Sequence, residues 1–192
     1  AAVAVVVPLL ALSPAAHAEK WVAKDKRGDV VASDNAAEGQ WSVPKVAIAD
    51  ITRTVVAHRA GKVVVRVKVR DIVRSDYGLV TRLRTPDHTF SAVYSQVSAK
   101  APGGPGSPGG DYYMRRGNRD IDCTGLTHTI SKRNVLRLRV PRTCLDDPTW
   151  VRAGARVVSS DKPMQHSYSD QAHPRADSKA RTIRVGPRLR VG

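Results

Sequence analysis

Aromatic side chains make up only 5% of this 192-residue chain, and phenylalanine occurs once, at Phe90. A core so poor in rings must be filled by aliphatic residues, and valine supplies most of them. Valine's branched Cβ favours the pleated surface of a sheet over a helix. Cysteine occurs twice, with no C-x-x-C pair, which excludes a dithiol redox motif and a cysteine-rich zinc site. The sequence contains no G-x-S-x-G elbow and no H-E-x-x-H, so neither a nucleophile elbow nor a zinc-peptidase motif is written locally. Acidic residues are scarce, 17 against 32 Lys and Arg, for a formal charge of +15. No stretch shows a convincing amphipathic helical period.

The clearest positive signal is a hairpin at 51–73. In Lys62-Val63-Val64-Val65-Arg66-Val67-Lys68-Val69-Arg70, Val63, Val65, Val67 and Val69 share one face and Arg66, Lys68 and Arg70 the other. Side chains alternate across a strand, so this reads as a half-buried strand with a cationic outside. The first arm, 45–58, is less regular, as a β-bulge or a two-sided environment would make it. Arg59-Ala60-Gly61 suits a three-residue turn closed by a left-handed glycine.

Further strands are expected at Trp21-Val22-Ala23, 79–84, 89–97, 112–116, 123–130, 135–140 and 150–159, with turn residues between them. That gives about eight or nine short strands, and hence an all-β fold, an antiparallel β-sandwich or a jelly-roll-like barrel. The Gly/Pro-rich stretch 101–110 reads as a mobile loop within the domain. Residues 1–18 carry no charge and end in Ala16-His17-Ala18, a small-x-small site, so they read as a signal peptide whose start lies upstream. The folded domain is expected at 19–160. Residues 161–192 read as a basic, mostly flexible tail, with room for an edge strand near 181–191.

In an exported chain, two cysteines point to a structural disulfide, Cys123 with Cys144. It closes a loop of about 22 residues, contributing about 3 kcal/mol by loop entropy. Around it, Cys123-x-Gly125-Leu126, the strand 135–140, Pro141-Arg142-Thr143-Cys144-Leu145 and Pro148-x-Trp150-Val151-Arg152 resemble a group of uncharacterised exported β-sandwich proteins of actinobacterial type. Gly28-Asp29-Val30, Ala49-Asp50-Ile51 and Gly186-Pro187-Arg188 are similar to theirs. The resemblance implies export, a sandwich and a disulfide; it carries no activity and no cofactor.

Three constellations could bind. Arg66, Lys68 and Arg70, Arg82 and Arg84, and Arg137 and Arg139 alternate with apolar residues; sharing one sheet, they would form a cationic face for phosphate or carboxylate polymers. Tyr112 and Tyr113, beside Arg115 and Arg116, could stack on a ligand. Asn118, Asp120 and Asp122, at period two, are a calcium candidate, with Asp25 and Asp29 a weaker version of it. The histidines His58, His88, His128, His166 and His173 are scattered, and no catalytic residue is named. Trp21, Trp41 and Trp150 read as core. The leading expectation is a secreted, non-catalytic protein of the cell envelope that binds an anionic wall polymer or glycan. It has no specific nucleic acid partner and no membrane anchor once the leader is cleaved. The alternatives are a small secreted hydrolase acting on a glycan or ester, and a structural envelope protein.

Overall fold

A computed structural model describes residues 18–34, 39–97, 110–161, 165–173 and 182–192. In chain order its strands are β1 (Glu19–Lys24), β2 (Val31–Asp34), β3 (Gln40–Ser42), β4 (Ile51–Arg59), β5 (Lys62–Val69), β6 (Tyr77–Arg84), β7 (Thr89–Gln96), β8 (Asp111–Arg116), β9 (Arg119–Ile121), β10 (Thr127–Ile130), β11 (Val135–Pro141), β12 (Trp150–Ser160), β13 (His166–Gln171) and β14 (Leu189–Arg190). One 3-10 turn, Thr143–Leu145, follows β11, and the described residues contain no α-helix. Of the expected signal peptide 1–18, residues 1–17 lie outside the described residues, as do residues 101–109 of the Gly/Pro stretch.

The strands form two antiparallel sheets. The smaller has the order β1-β4-β5-β11-β10, and the larger β3-β2-β13-β12-β6-β7-β8-β9, with β14 pairing the start of β12. The valines of β5 face inward as their period requires, opposite Leu136, Leu138 and Val140 of β11. They share one apolar cluster with Leu79, Leu83, Phe90, Met114, Val151 and Val157 of the larger sheet, so the two sheets pack face to face. Each of these aliphatic side chains is essentially sealed from water, which stabilises the fold by about 1.5–3 kcal/mol apiece. Cys123 and Cys144 are joined, with Cα atoms 5.4 Å apart, tying the loop before β10 to the turn after β11.

Several expectations change. The β4–β5 turn holds two residues, Ala60 and Gly61, because Arg59 stays in the ladder opposite Lys62. Gly61 is not among the residues with positive φ, so the left-handed glycine is not there. The irregular first arm does carry its bulge, a register shift between Ile51 and Arg53. Cys123 lies ahead of its strand, which starts at Thr127. Fourteen strands form against about eight or nine expected; β3, β9 and β14 are only two or three residues long.

The largest change concerns the segment after 160. His166–Gln171 is an internal strand between β12 and β2, not part of a tail. Its buried residues are Asp170 and Gln171, so it shows no apolar alternation. It is seated by hydrogen bonds: the Ile51 N–H, at the start of β4, donates to Asp170 Oδ2 at 2.8 Å, joining one sheet to the other.

Candidate functional site

The outer face of the five-stranded sheet is built by cross-strand register. Arg66 of β5 lies directly opposite Arg137 of β11. Lys68 lies opposite Arg53, and Arg53 opposite Lys24. Lys62 pairs Arg59, and Arg139 pairs Val64, with Lys20 opposite Ala57 in the same row. β10 closes the face with Thr127 and Thr129 opposite Arg139 and Arg137. Nine cations therefore share one surface, and no carboxylate occupies an outward position in these rows.

None of the nine is ion-paired among the described residues. Lys68 Nζ donates to the Arg133 carbonyl, an uncharged partner. Val64 and Ala57, outward by register, are nonetheless buried, as expected where long basic side chains lay their stems over small neighbours. Strands stand about 4.8 Å apart, so the Arg66–Arg137 pair concentrates charge. Desolvation first, then the charges of Arg66, Arg139 and Arg59, lowers the Arg137 pKa. An anion laid across this row would relieve that repulsion.

The seven cations singled out from sequence divide. Arg66, Lys68, Arg137 and Arg139 meet on this face. Arg70 lies past the end of β5 and bonds the buried Asp50 at 2.7 Å. Arg82 and Arg84 belong to the larger sheet, opposite Gly154 and Arg152 of β12. The chain's last segment crosses there: Arg82 donates to the Ile183 carbonyl, and Arg152 Nε to Gly186 O at 2.7 Å. Sequence reasoning missed Lys20, Lys24, Arg53, Arg59 and Lys62, although Lys20 and Lys24 bracket the Trp21–Ala23 strand at period two.

The other candidates are dispersed. Tyr112 and Tyr113 are 43% and 44% exposed, with Arg115 over the Tyr113 ring at 5.6 Å. Asn118, Asp120 and Asp122 are exposed around the β8–β9 hairpin, and Arg115 takes the Asp120 carboxylate at 2.7 Å. Trp41, expected in the core, is 40% exposed and meets His166 edge-on. His58 is buried with Nδ1 donating to the Leu189 carbonyl, and burial lowers its pKa. His128 stacks on Tyr94 at 3.9 Å, and burial pulls its pKa down to about 4.

One histidine does meet a carboxylate. His166 Nδ1 lies 2.9 Å from Asp161 Oδ2. Burial alone would raise the Asp161 pKa, but the backbone N–H and ring of His166 outweigh it and hold the carboxyl low. No hydroxyl bonds the second ring nitrogen among the described residues. A concavity of about 350 Å³ lies beside the C-terminal segment and is lined by Arg82, Phe90, Arg156 and Ile183.

Fold and surface together define an all-β, disulfide-bonded protein of two facing antiparallel sheets, one with a bare cationic outer face. No helix among the described residues is long and apolar enough to cross a membrane. No protein-family model matches the chain, and no curated protein or solved structure matches it.

Proposed function

We propose that this chain is an exported, non-catalytic binding protein that lays the outer face of its five-stranded sheet along an anionic polymer of the cell envelope. The observation that carries the reading is the set of nine Lys and Arg side chains on one sheet face with no carboxylate among them. Such a face attracts a polyanion at long range and meets phosphate or carboxylate groups with directed guanidinium donors. The disulfide and the apolar leader sequence support export. The resemblance to exported actinobacterial proteins points the same way. The hydrolase alternative has the Asp161–His166 pair in its favour, but no hydroxyl among the described residues bonds the second His166 ring nitrogen.

The test is retention of the purified protein on immobilised teichoic-type polymer and on heparin over a salt series, with duplex DNA as a comparison. The expected outcome is binding at low salt to the envelope-type polymer that falls steeply as salt screens the charges. The triple change Arg66→Ser, Lys68→Ser and Arg137→Ser weakens it at least about tenfold, a loss of about 1.4 kcal/mol. Arg84→Ser, on the other sheet, leaves it unchanged. No retention at low salt, equal weakening by Arg84→Ser, or tighter binding to DNA overturns the proposal.

A further inference from the structure

Four carboxylates converge where the β1–β2 turn, the start of β4 and the end of β13 come together. Asp29, Asp50 and Asp170 each offer an oxygen within 4.8 Å of the others. Asp25, across the same turn, feels the charges of all three. Asp50 and Asp170 are wholly buried, at 0% exposure. Their surroundings supply some donors. Asp50 Oδ2 accepts from Arg70 at 2.7 Å and from the Gly28 N–H at 3.1 Å. Asp170 accepts the backbone N–H groups of Ile51 and Gln171. The cluster gathers four carboxylates, and Arg70 bonds one of them.

A second observation is independent of that count. Asp50 uses only one of its oxygens; Oδ1 touches neither solvent nor a donor, in a residue with no exposed surface. Asp29 Oδ1 and Asp25 Oδ2 are stranded in the same way. A carboxylate oxygen sealed from water without a donor is among the costliest features a fold can carry. Three of them on the residues of one cluster point to a positive partner.

We propose that Asp29, Asp50 and Asp170, with Asp25 beside them, hold one calcium-class divalent cation that clamps the two sheets together. The donors are all hard oxygens, with no imidazole nitrogen or thiolate, which selects calcium-like over zinc-like ions. Ligands on opposite sides of one calcium ion stand about 5 Å apart, so a spread within 4.8 Å lets three oxygens share it. Asp170 comes from the larger sheet, Asp50 from the start of a strand of the smaller one, and Asp29 from the connection between them. The turn is already shaped: Gly28 has φ +77°, and a Cβ there would lie 2.6 Å from the Pro44 carbonyl oxygen. The cation would complete a junction that hydrogen bonds alone leave half-satisfied, separately from the basic face.

The experiment is calorimetric titration of the purified, EDTA-treated protein with CaCl2, with thermal unfolding in EDTA and in CaCl2. The expected result is one calcium bound per chain and, at a concentration about a hundred times Kd, a Tm about 5–10 °C higher. Asp50→Asn also disturbs Arg70 and Gly28, so the informative variant is Asp29→Asn, which keeps the shape and removes a charge. Its Tm in EDTA matches or exceeds that of the unaltered protein, and the calcium shift disappears. The proposal is overturned if the unaltered protein shows no titration heat and no shift, or if Asp29→Asn keeps the whole shift.

Discussion

The outer faces of the two sheets start from the same sequence device and end in opposite states. On the smaller sheet, Arg66, Lys68, Arg137 and Arg139 stand outward with no ion-pair partner among the described residues. On the larger sheet, Arg82 and Arg152 also stand outward, but the returning C-terminal segment lies over them and their guanidinium groups bond its carbonyls. Gly154 marks how close that approach is, since a Cβ there would lie 1.8 Å from the Arg184 carbonyl oxygen. Alternating arginines therefore stand without ion pairs where no described segment lies over the sheet, and hold the chain's own backbone where one does. The same chemistry holds the chain's own backbone on the larger sheet and, on the proposed function, meets a polyanion on the smaller one.

The comparison breaks most sharply at Gly154. Gly154→Val forces the 183–186 segment off the larger sheet, uncoupling Arg82 and Arg152 from their carbonyls. The expected loss is about 3 kcal/mol or more, read by urea unfolding. Hydrogen exchange should show Gly186, whose N–H donates to Ala153 at 2.9 Å, losing protection. A variant with unchanged stability would mean that the segment is not held there.

Among the described residues no segment covers the smaller sheet, and a covalent tie holds its β10–β11 corner. Cys123→Ser with Cys144→Ser should cost about 3 kcal/mol in the same assay. The first exchange increase is expected in β10, the edge strand next to the bridge. If β12 loosened first, the disulfide would serve the larger sheet and the contrast would fail.

A smaller effect tests the join between the layers. His128 of β10 stacks on Tyr94 of β7 as a neutral ring, with a pKa of about 4. An unfolded histidine takes up its proton near pH 6.5. Between these values the unfolded chain binds the extra proton, so His128's contribution is fully present above pH 6.5 and is lost as pH falls toward about 4. The Tm difference between the unaltered protein and His128→Phe, which keeps a ring for stacking, should therefore change steadily across that window. A constant difference from pH 4 to 7 would show that the ring is not held neutral.

Much of the fold was legible because it rests on local periods. The valines of β5, the alternating Leu136, Leu138 and Val140, and the paired strands β6 and β7 could all be read from residues two apart. β13 was not, because His-Ser-Tyr-Ser-Asp-Gln carries no apolar rhythm and its buried positions are an aspartate and a glutamine. The cationic face was half legible: Arg66, Lys68, Arg137 and Arg139 were visible, and Lys62 shares the alternation of Arg66 and Lys68, but Lys20 and Lys24 come beside them only through the pairing of β1 with β4. Of the carboxylate cluster, Asp25 and Asp29 stood out beside their turn. Asp50 and Asp170 lie 120 positions apart and reveal nothing until the sheets meet.

By itself, then, the sequence determined that this protein is made of strands, that its two cysteines could bridge, and that its surface is strongly basic. Those properties follow from side-chain alternation and composition, which neighbouring residues settle. Only the tertiary structure decided which arginines face solvent and which face the chain's own carbonyls, and that four carboxylates share one buried junction. Those outcomes depend on which strands pair and what lies over each sheet, and long-range packing fixes both.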